Sequence, residues 1–118
     1  MGSTRMITRI PGSVPTRSRA VVANGLVNAV AVSPDKTPSL YGQTKKALAA
    51  IDKSLADAGT DKSRILTATV YITDMSKKEE MNRAWDEWVD RNNPPMRACL
   101  GVDLEPPHIV EIVVTAAK

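Results

Sequence analysis

The run MRACLGV, residues 96–102, places Arg97 and Cys99 two residues apart in a short apolar stretch just after Pro94-Pro95. A guanidinium there has two uses. Its planar two-donor fork can clamp a small carboxylate while Glu111, in HIVEIVVTAA, acts on a water. Alternatively Arg97 pairs with Glu111, or with an acid of a neighbour, as a structural ion pair. On residue types alone the ion pair is the plainer reading, and spacing leaves both open. The Cys99 thiol needs no nucleophilic role, because nothing nearby in sequence supplies a base.

One Cys and one His, His108, exclude an intrachain disulfide and a Cys- or His-based metal cluster, so no metal is expected. His108, the only side chain whose ordinary pKa lies near neutrality, follows Pro106-Pro107 and reads as surface. The net charge of +3 is too mild and too mixed for a nucleic-acid footprint. With no Phe, two Trp and two Tyr, the chain also lacks the aromatics of an RNA-stacking sheet. No apolar run approaches membrane-spanning length, and no signal-peptide pattern opens the sequence. The expectation is a soluble, cytoplasmic protein with neither a nucleic-acid nor a membrane partner. A length of 118 residues suggests one domain, 1–118, with 1–5 (MGSTR) a remnant ahead of Met6.

These residues need elements to hold them. RMITRI is a short β-branched strand that ends at the turn-rich PGSVP. SRAVVANGLVNAVAVSP is two apolar runs around Asn24-Gly25, a strong hairpin signal. From Ser39 the period changes. Leu40, Thr44, Ala47, Leu48, Ile51, Leu55 and Ala58 recur at three- and four-residue steps, giving an amphipathic helix of about five turns that Gly59 is placed to end. RILTATVYITDM alternates, with Leu66, Ala68, Val70 and Ile72 on one side. A second helix opens at Ser76 with a capping box to Glu79, and Met81, Ala84, Trp85, Trp88 and Val89 form its buried stripe. MRACLGV and HIVEIVVTAA are the last two strands. This order predicts an α+β layer: one sheet with both helices on one face.

Two helices cover only one face. In the last strand Val110, Ile112, Val114 and Ala116 suit the helices, while Ile109, Glu111, Val113 and Thr115 look the other way. The strand LVNAVAV is apolar on both sides. A large exposed apolar face marks an interaction surface. Another copy of the chain is the simplest cover, so a closed cyclic oligomer is expected. The same alternation assigns Met96, Ala98, Leu100 and Val102 to the helices. It puts Arg97, Cys99, Gly101 and Asp103 on the open side with Glu111, toward a subunit interface.

The segments VYITDM, MNRAWDEWV, PPMRACLGVDL and VEIVVTAA, with QTKKALAAIDKSLADAG, resemble the RidA/YjgF/UK114 family of reactive-intermediate deaminases over nearly the whole chain. The resemblance implies a chorismate-mutase-like α+β unit that assembles as a homotrimer around a barrel-like core, with ligand clefts between subunits. It implies hydrolysis of enamines and imines, typically 2-imino acids, to 2-keto acids and ammonia, without metal or organic cofactor. By this resemblance Arg97 is the carboxylate-binding arginine and Cys99 the cysteine whose backbone lines the site. Glu111 is the glutamate that holds or activates water, and Asn82 and Trp85 are the helix Asn and aromatic near the cleft. Core packing is nearly as good a reading of Trp85.

The chain departs from the family at two places. Arg17, in TRSRA, stands where many members carry a Tyr, and is a candidate rim or substrate-binding residue. AVAVSP, residues 29–34, is apolar where they carry Ser-Gly-Gln or Ala-Gly-Gln. The leading expectation is an imine/enamine deaminase with a small carboxylate-bearing substrate. The alternatives are a non-catalytic trimer that binds a small carboxylate metabolite, which the apolar loop favours, and RNA cleavage or translation inhibition, which the mild charge disfavours.

Overall fold

The computed structural model describes residues 6–118, so the proposed remnant 1–5 lies outside the described residues. Its elements are β1 (Thr8–Pro11), β2 (Ser18–Ala23), β3 (Leu26–Val32), α1 (Leu40–Asp57), β4 (Ile65–Ile72), α2 (Lys78–Trp88), β5 (Met96–Gly101) and β6 (Val110–Ala117). The strands form one mixed sheet in the order β1-β2-β3-β6-β4-β5. Both helices pack on the same side, as the element order predicts, and against one another.

The local signals act as expected in the first half. Asn24 and Gly25 take φ values of 53° and 76°, which turn β2 into β3. The Ser39 hydroxyl accepts from the Gly42 amide at 2.9 Å and caps α1. Gly59, at φ 89°, ends it. The whole expected α1 stripe is buried, as are Val110, Ile112, Val114 and Ala116 of β6.

Gln43 was not singled out from the sequence. It is buried, donates to the Thr37 and Pro107 carbonyls at 2.9 Å each, and accepts from the Ile109 amide at 3.0 Å. It thereby ties the loop after β3 to the loop before β6. His108, in that second loop, is half-buried rather than at the surface, and its Nδ1 has no hydrogen-bond partner among the described residues.

Three local expectations fail for identifiable reasons. The β4–β6 register shifts between Ile65 and Thr67, so Ile65 turns inward and Leu66 is left half exposed. Ser76 does not cap α2. Asp74 accepts from the Ser76 amide and hydroxyl at 3.0 and 2.6 Å, starting a short 3-10 turn, and α2 begins two residues later without a side-chain cap. A carboxylate is the stronger acceptor, and it uses the hydroxyl the capping box needed.

The third failure concerns β5, which pairs in parallel with β4 so that Arg97 stands beside Ala68 and Cys99 beside Val70. Ala68 and Val70 are buried under the helices. Arg97 and Cys99 therefore face the helices, and Met96 and Leu100 are the exposed ones, at 71% and 44%. The assignment of β5 faces from apolarity was inverted.

Candidate functional site

The inversion divides the expected site in two. At the β5 edge, the Arg97 guanidinium points to α2. Its Nη2 donates to Asn82 Oδ1 at 2.9 Å, its Nη1 contacts Met81 Sδ at 3.6 Å, and its Cζ lies 5.3 Å from the centre of the Trp85 ring. Helical spacing explains the cradle, since Met81, Asn82 and Trp85 sit three and four residues apart on one side of α2. Trp85 is buried, so the packing reading of that residue holds, and its ring also supports the guanidinium. Cys99 is half-buried and packs against the core.

The ion-pair reading of Arg97 fails within the protomer. The ion pairs among the described residues are Arg19–Asp57, Lys46–Asp35 and Lys53–Asp57, and none involves Arg97. Arg97 is thus a half-buried, oriented cation without a counter-ion, an arrangement that favours capture of an anion.

Glu111 lies elsewhere. Its strand partners are Tyr71 on β4 and Val32 on β3. The strand β4 separates β5 from β6, so Arg97 and Glu111 do not come from neighbouring strands. Two strand spacings and a three-residue offset put their Cα atoms roughly 14 Å apart. They also sit on opposite faces of the sheet, so one protomer cannot bring both to the same small molecule.

Glu111 instead lines a groove of about 500 Å³ at the far end of β3, together with Arg17, Arg19, Lys53 and the apolar side chains of Val14, Val30, Val32 and Ala50. The β2–β3 pairing stops at Ala20 and Ala29, whereas β3–β6 continues to Val32 and Glu111. The groove is the space that β2 leaves when it ends. The apolar segment 29–34, which is the end of β3 and the two residues after it, and the Arg17 departure therefore converge here, beside Glu111. The structure brings together Arg97, Asn82, Trp85 and Cys99 in one place, and Arg17 and Glu111 in another. No group of His, Cys, Asp and Glu among the described residues could hold a metal ion. No helix among them is long and apolar enough to cross a membrane.

Comparison with known proteins gives a consistent picture. The Endoribonuclease L-PSP family matches residues 11–118. A RutC family protein of Haemophilus ducreyi is 50% identical over 115 residues, covering 95% of this chain and 97% of that protein. The RutC family protein YoaB of Escherichia coli is 35% identical over 101 residues, covering 85% and 89%. A crystal structure of a YjgF family member from Neisseria meningitidis superposes with a TM-score of 0.90 at 39% identity, covering 96% of this chain and 95% of that one.

Proposed function

Since the chain belongs to the Endoribonuclease L-PSP family, that of the RutC and YjgF proteins, we propose that it hydrolyses 2-imino acids and their enamine tautomers at a site completed between protomers of a homotrimer. The observation that carries this reading is Arg97: oriented by Asn82, laid over Trp85, and without a carboxylate partner among the described residues. A 2-imino acid supplies the missing anion through its carboxylate, in the bidentate geometry that guanidinium prefers.

The reaction asks little of the protein. Water adds to the iminium carbon, the new C–O bond becomes the carbonyl as the C–N bond breaks, and the nitrogen leaves as ammonium. Arg97 fixes the carboxylate end. Glu111 of the partner subunit takes a proton from the attacking water and returns one to the departing nitrogen. Backbone amides near Cys99 face the developing charge. Imines hydrolyse unaided in water, so a few kcal/mol of barrier lowering suffices, each ~1.36 kcal/mol being tenfold in rate. Neither metal nor organic cofactor enters the scheme.

The test is Arg97→Ala assayed on freshly generated 2-iminopropionate. Loss of a charge-assisted contact worth about 1.5–3 kcal/mol reduces kcat/KM by roughly ten- to a hundredfold or more, with the oligomer intact. Full activity in the variant contradicts the clamp, and dissociation into monomers makes Arg97 structural. Binding of a 2-keto acid without turnover in the native protein selects the non-catalytic alternative, which the apolar wall beside Glu111 favours. The family description also names an endoribonuclease, and retention on RNA that weakens steeply with salt would support that activity.

A further inference from the structure

The groove beside Glu111 has contents that hydrolysis alone does not use. Val14 and Val30 are exposed on its walls, at 38% and 37%. Three cations line it. Arg19 is committed to the Pro11 carbonyl, Ser54 and Asp57, and Lys53 also donates to Asp57. Their donors, Arg19 first, hold the Asp57 carboxyl below its ordinary value. Arg17 is different: its hydrogen bond is a long 3.4 Å contact to its own neighbour Thr16, and it makes no ion pair among the described residues. Asp57, beside the groove, takes both Arg19 and Lys53, Glu111 is the one carboxylate on the lining among the described residues, and Arg17 is the cation left without an ion pair.

We infer that this groove is the side-chain half of the site, and that Arg17 selects 2-imino acids whose side chain ends in a second carboxylate. The inference rests on the reading proposed above. With the first carboxylate on Arg97 of one protomer and the reacting carbon beside Glu111 of the next, the substrate side chain runs along the groove. It meets Val32 and Val30 first, which suit a short methylene spacer. It then reaches the free guanidinium, whose fork suits a terminal carboxylate. A second negative charge also balances the positive excess of the groove.

The experiment compares imines generated in place by an amino-acid oxidase from glutamate and from norvaline, whose side chains have the same reach with and without the terminal carboxylate. Ammonia release above the uncatalysed rate is followed. The native protein is expected to favour the glutamate-derived imine by tenfold or more in kcat/KM. Arg17→Leu should lower that ratio to about one or reverse it, and Arg17→Lys should keep part of it. Equal rates on the two imines, a preference for the norvaline-derived imine, or a ratio unchanged in Arg17→Leu overturns the role of Arg17 and leaves deamination standing. No acceleration of either imine overturns the deaminase reading itself, and this inference with it.

Discussion

Arg97 is held before any ligand arrives. Its Nη2 donates to Asn82 and Nη1 to Met81 Sδ, a ring lies beneath the guanidinium, and three of its five N–H groups are left to meet a planar anion. This pre-orientation is what distinguishes Arg from Lys at the position. Arg97→Lys keeps the charge but loses the fork and the stacking, so kcat/KM on 2-iminopropionate is expected to fall about tenfold. Activity equal to the native protein would mean that position 97 needs only a positive charge. The candidacy of Arg97 is legible in the sequence, because a guanidinium in an apolar strand demands a partner. Its direction is not. Apolarity assigns Met96 and Leu100 inward, but in β5 the inward face is set by parallel pairing with Ala68 and Val70, and pairing outranks side-chain type at an edge strand.

At the level of elements, carboxylates recur as local fasteners. Asp61 and Asp74 each accept from the amide two residues on and start a 3-10 turn. Asp90 binds the Asn92 amide and the Asn93 side chain after α2. Asp35 takes Lys46 and Thr37, and Asp57 takes Arg19 and Lys53. Lys46 is the chief cause of the lowered Asp35 carboxyl, Arg19 that of Asp57, Ser63 that of Asp61, Ser76 that of Asp74 and Asn93 that of Asp90. A carboxyl with a folded pKa below its unfolded value stabilises the fold fully above the unfolded value, near pH 4, and the contribution disappears as pH falls through the folded value. Melting temperature should therefore hold down to about pH 5 and decline below about pH 4. A flat profile down to about pH 3 would mean these turns contribute nothing. Periodicity locates both helices and all six strands but not these turns. Ser76 illustrates the reason: two acceptors compete within three residues, and the sequence alone ranks them wrongly.

For the molecule as a whole, the decisive feature is the uncovered sheet face. Leu66, Leu100, Val113 and Met96 stand exposed outside the groove. Full burial of such side chains is worth up to about 1.5–3 kcal/mol each, enough across a trimer to offset an association cost of about 4–15 kcal/mol. The alternation in β6 makes this face readable from sequence. The division of the site is not readable, because it depends on strand order: placing β4 between β5 and β6 is a tertiary fact with no local signal. Under the proposed function, that division makes assembly a requirement for chemistry. Two variants expected to be impaired, Arg97→Ala and Glu111→Gln, test it most directly when mixed under conditions that allow subunit exchange. In randomly assorted trimers about one junction in four joins an intact Arg97 to an intact Glu111 of the partner subunit. The mixture is predicted to recover about a quarter of native specific activity toward 2-iminopropionate, and a mixture no more active than either variant alone would contradict a site shared between protomers.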